Sequence, residues 1–226
     1  MAPGPWEELN EEVVSCRRCE RLVAWREAVA RDKRASFAGQ HYWGKPLPGF
    51  GDRAARLAVV GLAPAAHGGN RTGRIFTGDR SGDWLWAALW RAGLANQPSS
   101  TARDDGLKAK GVFVTAVVRC PPPANRPLVA ERDNCIGYLR RELELLSSLR
   151  AVLALGGFAY GACCRLFGAR RPPRFAHGAE AQLPDGRWLV ASYHPSQQNT
   201  FTGRLSEQML DSAIARALAR ASEAPG

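Results

Sequence analysis

The chain has 226 residues, 45% hydrophobic and 23% charged, the proportions of an ordinary globular protein and a length that suits one α/β domain better than two. No apolar run approaches the roughly 18 residues of a membrane span, and the acidic start MAPGPWEELNEE lacks the apolar core of a secretory signal; the expected compartment is the cytoplasm, where cysteines stay reduced. The formal charge is +10, and all but four of the 31 basic residues are Arg, whose forked guanidinium suits phosphate and hence a polyanion such as nucleic acid, although genome composition or a hot habitat also raises Arg.

In chain order, the pattern predicts a helix over about 6–30 that carries Cys16 and Cys19 or flanks the loop that does, then a Gly/Pro-rich connector over 44–51. Short apolar runs rich in β-branched or aromatic residues predict buried strands over 57–62, 112–118, 151–155 and 188–193. Helical stretches over 82–92, 132–149 and 158–166 separate them, a closing helix covers about 205–221, and 222–226 reads as a disordered tail. This alternation predicts βαβ units and a mainly parallel sheet. The expected organisation is one domain over 1–226, with the cysteine-bearing segment 1–50 packed on it.

Cys16 and Cys19 form a Cys-x2-Cys pair, close enough to share one metal or cluster, and Cys120 and Cys135 supply two further thiolates. A structural zinc and a [4Fe–4S] cluster both accept four thiolates; the long second spacing departs from the repeated x2 of a zinc ribbon and favours the cluster. Cys163 and Cys164 lie in a predicted helix and read as buried filler.

In open parallel sheets, ligands bind beyond the carboxyl ends of the strands. Every unusual segment lies at such a place: 61–79 after the first strand, 119–127 after the second, Gly156-Gly157 after the third and 192–199 after the fourth. In these segments the chain closely resembles the uracil-DNA glycosylase superfamily, and within it the iron–sulfur-containing family 5. The resemblance runs from Cys16 to roughly the last helix and rests on GLAPAAHGGNRTGRIFTGD, RCPPPANRP, SYHPSQQNTFTGR and the four cysteines in matching order. It implies a three-layer α/β/α fold with a central four-stranded, mainly parallel sheet. It also implies a [4Fe–4S] cluster on Cys16, Cys19, Cys120 and Cys135, and hydrolytic excision of deaminated bases from DNA that leaves an abasic site.

Such chemistry needs an extruded base, a pocket to hold it, a water at the sugar C1′ and stabilisation of the charge on the departing base. The resemblance assigns Phe76 to stacking on the base and His194 to a hydrogen bond with uracil O2. Other branches place a polar side chain in the first motif to hold the water, but 61–66 here is Gly-Leu-Ala-Pro-Ala-Ala. The family 5 likeness points instead to Asn125 as the water-orienting amide, with Asp79 as a second polar group near the base, and leaves Ala63 and Ala65 as pocket walls. Ala116 stands where uracil specialists carry a discriminating Asn, which predicts tolerance of hypoxanthine, xanthine or ethenocytosine beside uracil. Arg71 and Arg74, flanking a Gly-rich loop, and Ser196, Gln197 and Asn199 are the expected DNA contacts. The expected partner is DNA containing such bases, with no membrane, and the protein is expected to be a monomer.

Three rival readings differ in kind. A zinc-stapled nucleic-acid-binding module accounts for charge and cysteines but gives the strand-end loops no purpose. A zinc nucleobase deaminase lacks its His-x-Glu and Pro-Cys-x-x-Cys signature. A nucleotide hydrolase lacks the Gly-Lys-Ser/Thr of a phosphate loop.

Overall fold

A computed structural model describes residues 3–223. Six strands form one sheet: β1 (Phe50–Gly51), β2 (Leu57–Gly61), β3 (Val112–Ala116), β4 (Ala151–Leu155), β5 (Glu180–Gln182) and β6 (Trp188–Ser192), in the order β1-β3-β2-β4-β6-β5. The four predicted strands are the central ones and run parallel, with Val59 beside Val114 and Leu153. The two edge strands are antiparallel additions, so the sheet is six-stranded and mixed rather than four-stranded. Two and three residues long, they are too short to show a period of two.

The helices among the described residues are α1 (Pro5–Ser15), α2 (Glu20–Asp32), α3 (Gly69–Thr72), α4 (Arg80–Arg91), α5 (Val129–Leu145), α6 (Gly157–Leu166), α7 (Gln197–Phe201) and α8 (Glu207–Ser222). They cover both faces of the sheet, which is why the central strands are apolar at all but two positions, Thr115 and Ser192. Ala58, Val60, Val152 and Ala154 point into a core shared with α1, α5 and α6. Leu57, Val59, Leu153 and Leu155 point the other way, against Leu85, Trp86 and Leu89 of α4 and Leu210 and Ile214 of α8. No helix among the described residues is long and apolar enough to cross a membrane. Ser222, expected in a disordered tail, closes α8, and residues 224–226 of that tail lie outside the described residues.

The helix expected over 6–30 is divided. Cys16 and Cys19 both take extended backbone, ending α1 and starting α2. The guanidinium of Arg26, on α2, reaches back to donate twice to the Cys16 carbonyl, at 3.2 Å each. The break turns the two thiols out of a helical path and toward α5.

Beneath the second-strand loop lies a fully buried ion pair, Arg119 with Glu142 of α5 at 2.7 Å. Arg119 and Glu142 both bond the Thr115 hydroxyl, each at 2.6 Å, and Glu142 also accepts the Gly49 N–H at 2.8 Å. Removing one partner of a buried pair leaves an uncompensated charge. Glu142→Ala is therefore expected to destabilise the fold by about 3–5 kcal/mol in urea denaturation. Arg119→Met combined with Glu142→Leu should recover most of the loss, and a single-variant cost near zero would show that water reaches the pair.

Candidate active site

A cavity of about 650 Å³ opens beyond the carboxyl ends of the central strands, within the usual size range of small-molecule sites. The segment after β2 contributes Leu62, Ala63, Pro64, Ala65, Phe76 and Asp79. The segment after β3 contributes Ala124, Asn125 and Arg126, and the one after β6 contributes His194, Ser196, Gln197 and Gln198. The loop after β4 backs the cavity from behind: a side-chain carbon on Gly156, whose φ is +90°, would stand 3.3 Å from the His194 Cβ.

The aromatic wall is built under constraint. Phe76 adopts a left-handed backbone (φ +50°), a conformation a bulky residue takes only when its surroundings impose it. Trp86 Nε1 donates to its carbonyl at 2.8 Å, and its ring lies over Gly61, where any side chain would strike it. The ring faces His194 in a stacked arrangement, 6.0 Å between centroids and 28° between planes. His194 is held from the main-chain side by Asn199, whose amide donates to its carbonyl at 2.8 Å. Burial lowers the imidazolium to about 4, so the ring is neutral at physiological pH and offers one N–H donor and one acceptor.

Asp79 caps α4, accepting the Gly82 N–H at 3.0 Å, and its other oxygen occupies space that a side chain at Gly68 would fill. Burial raises its pKa above the ordinary aspartate value, outweighing the two backbone N–H groups that lower it. Asn125 is exposed at the mouth, at the end of a 3-10 turn in which Ala124 and Asn125 both have left-handed backbone, φ +53° and +55°. Asn tolerates that region and Ala does not, so the turn is held by its surroundings. Arg21 of α2 supplies part of the hold, donating to the Arg126 carbonyl at 3.1 Å and to Glu131 at 2.7 Å.

The cavity thus gathers Ala63, Ala65, Phe76, Asp79, Asn125, His194, Ser196 and Gln197. It does not gather the remaining candidates. Ala116 is buried in the sheet beside Gly61 and away from the lining. Asn199 braces His194 rather than facing the cavity. Arg74 is buried, its guanidinium bound to Asp105 at 2.6 Å, to Ser100 at 2.7 Å and to Thr77 at 3.0 Å, so the expected phosphate contact is corrected to a strut across the Gly-rich loop. Arg71 is occupied likewise, by the carbonyls of His67 and Gly78 and by Gln40, with its guanidinium over Phe37. The rim cations are instead Arg80 and Arg126. Each directly follows a residue that the motifs did single out, Asp79 and Asn125, and that adjacency was the available signal.

The four cysteines line a second, smaller cavity together with Arg26, Arg119 and Asn134. None of the six cysteines is joined in a disulfide. Among the described residues no three His, Cys, Asp or Glu are gathered tightly enough for a single ion. Donors surround the sulfurs: Arg26 Nη1 lies 3.0 Å from Cys120, the Arg119 N–H 3.3 Å from Cys135, and the Asn134 amide 3.6 Å from Cys19. The Nε atoms of Arg26 and Arg119 are buried with no partner. Burial pushes Cys120 up to about 11 and Cys135 up to about 12. A buried cation with an unused N–H beside four sulfurs suits an anionic thiolate-bound group, whose loading would displace the thiol protons.

The neutral state of His194 has a consequence for stability. Between its ordinary value of 6.5 and about 4, the unfolded chain binds a proton that the folded one refuses. The stabilisation is complete above 6.5 and is lost as pH falls through that window. His194→Gln is therefore expected to lose about 1–2 kcal/mol less stability than wild type between about pH 7 and pH 4.5, allowing for the ring's partial exposure to the cavity. Identical losses would mean that the ring is fully solvated.

A family model described as the uracil DNA glycosylase superfamily matches residues 48–218. The chain is 57% identical over 211 residues to a Type-5 uracil-DNA glycosylase of Mycobacterium leprae, covering 92% of each chain. It is 50% identical over 204 residues to the Type-5 uracil-DNA glycosylase of Thermus thermophilus, covering 90% of this chain and 92% of that one. With the Type-5 protein of Pyrobaculum aerophilum it shares 46% identity over 218 residues, 96% of this chain and 94% of the relative.

Proposed function

The chain belongs to the uracil-DNA glycosylase superfamily, on its type-5 branch, and from that premise we propose that it hydrolyses the N-glycosidic bond of uracil in DNA, and of further deaminated or damaged bases, leaving an abasic site. The observation that carries this reading is the convergence of Phe76, Asp79, Asn125 and His194 on one cavity from three separate strand-end loops.

The flipped base stacks against Phe76, the only part of the lining with a broad aromatic face parallel to another ring. Neutral His194 donates a hydrogen bond to the base O2. That bond strengthens as the glycosidic bond breaks and negative charge gathers on the base, so it stabilises the transition state more than the ground state. Asn125 orients the attacking water at C1′. An amide is not a strong base, and none is needed when the sugar has oxocarbenium character and the water is held in place. Asp79, with its raised pKa and its carboxyl at the cavity, is the second polar group that steadies the water or the base. The walls Ala63 and Ala65 carry no hydrogen-bonding side chain. The site therefore does not reject a base for lacking a particular donor or acceptor there, and this supports tolerance of hypoxanthine, xanthine and ethenocytosine.

Cys16, Cys19, Cys120 and Cys135 would hold a [4Fe–4S] cluster. The long, uneven spacing of Cys120 and Cys135, unlike the repeated x2 of a zinc ribbon, favours the cluster over a single zinc. With four thiolate ligands it would supply no open coordination site; its part is to fasten α2 to the second-strand loop and so to steady the turn of Asn125.

Incubating the protein with duplexes that each carry one lesion, followed by alkali, tests the reaction. Strand scission is expected at uracil and at the three other bases, and Asn125→Ala should lower base release on the order of 10²-fold while leaving duplex affinity within about twofold. Intact strands with uracil would overturn the function, and scission at uracil alone would remove the wider specificity. Independently, anaerobically purified protein should contain iron and acid-labile sulfide in equal amounts, and Cys135→Ser should lose both and expose α1 and α2 to protease. Stoichiometric zinc without sulfide would replace the cluster.

A further inference from the structure

His194 follows directly on the last residue of β6 and one more, the stretch Ser192-Tyr193-His194, and this stretch is pinned along its length. The Gly156 N–H donates to the Ser192 carbonyl at 2.8 Å, the Ser192 hydroxyl donates to the Tyr193 carbonyl at 2.9 Å, and Asn199 holds the His194 carbonyl. The Tyr193 N–H goes instead to a side chain, His177 Nδ1, at 3.3 Å. His177 lies just before β5, is half-buried, and has no part in the chemistry described above. Its ring stands 5.4 Å from that of Tyr193, which also meets Phe175 at 6.0 Å and carries the Arg204 guanidinium at 4.6 Å. A second histidine is thus built in behind the first, bonded to the peptide that precedes it.

Resting on the reading of the site as a glycosylase in which His194 donates to the departing base, we propose that His177 is a positioning residue for that reaction. Through Nδ1 it fixes the peptide before His194, and with it the aim of the His194 ring into the cavity. The bond requires one tautomer. Only a ring nitrogen without a proton accepts a backbone N–H, so Nδ1 is bare and the proton of the neutral ring sits on Nε2. The surroundings favour that state: burial lowers the His177 pKa below the ordinary 6.5 and the Arg216 charge on α8 acts the same way, against the Met209 backbone, which accepts from the ring. A proton on Nδ1 would confront the Tyr193 N–H, and would turn to the Ser192 oxygen, 3.4 Å away. The His194 ring has no hydrogen-bonded side chain to aim it among the described residues, so the backbone on either side sets its direction. A donor misplaced by about 1 Å costs on the order of 10²-fold in rate, which is why one bond to the preceding peptide matters.

The test measures base release from a uracil-containing duplex under single-turnover conditions, beside duplex affinity. His177→Leu, which keeps bulk and removes the acceptor, should slow base release about 10- to 100-fold with affinity within about twofold. His177→Asn, whose amide oxygen accepts the Tyr193 N–H near the place of Nδ1, should restore most of the rate. Because the effect passes through His194, His177→Leu should cost nothing further in a His194→Ala background, whereas a general loosening of the fold would slow both backgrounds alike. Nitrogen NMR of histidine-labelled protein, with the His177 signals assigned by their loss in His177→Asn, should show a bare Nδ1 and a protonated Nε2. Losses that add in the double variant, a folded His177→Asn as slow as His177→Leu, or a proton on Nδ1 would each overturn the proposal. An active wild type that His177→Leu matches overturns it alone; a wild type that releases no uracil overturns the glycosylase reading, and the proposal with it.

Discussion

The buried pairing of Arg119 with Glu142 decides where the functional loops leave the sheet. Arg119 is the residue before Cys120, at the end of the second-strand run, and its backbone alone makes two further links: its N–H to the Cys135 sulfur and its carbonyl to the Leu47 N–H at 2.9 Å. With Glu142 also holding Gly49 and Thr115, one polar junction joins β3, α5, the 44–51 connector and a cysteine loop. Desolvating two charges is costly, and only full hydrogen bonding offsets it. The carboxylate meets that condition. The guanidinium meets it apart from its Nε.

From this junction the chain runs five residues from Cys120 to Asn125, and both ends of that stretch are held by the same helix. On α2, Arg26 reaches the Cys120 sulfur and the Cys16 carbonyl, while Arg21 reaches Glu131 and the Arg126 carbonyl. Two consecutive left-handed residues, Ala124 and Asn125, store strain that such a short segment keeps only while both its ends are fixed. The placement of the Asn125 turn is therefore tied, through the backbone, to the helix that follows Cys16 and Cys19.

The distribution of arginine separates charge as a bulk property from charge as a contact. The excess of cations gives the molecule a field that attracts a polyanion, yet the two arginines nearest the Gly-rich loop are turned inward, Arg74 onto Asp105 and Arg71 onto carbonyls. They stiffen the long segment between β2 and α4, so that Phe76 is held over Gly61 and Asp79 over Gly68. The rim is left to Arg80 and Arg126, each beside exposed apolar side chains, Phe201 in one case and Leu128 and Val129 in the other. That mixture of cation and apolar surface fits a partner that presents both phosphates and stacked bases.

Much of this protein was legible in the chain itself. The four central strands read as continuous apolar runs because helices cover both of their faces, and the strand-end loops stood out because parallel strands direct unusual residues to one edge. Cysteine spacing brought four thiols to one cavity on paper as it does in space. What only the tertiary structure decided were the matters settled by partners distant in sequence. A two-residue edge strand exists because β3 offers it hydrogen bonds; Arg74 is buried because Asp105 lies opposite; Ala116 misses the cavity because its strand ends beneath it. The helix over 6–30 breaks where the Cys16 carbonyl accepts from the Arg26 guanidinium rather than from a following turn of the helix. Local pattern records how a residue suits its neighbours in the chain, while the exposure of Phe201 and the burial of Arg74 depend on which loops meet, and no local period encodes that.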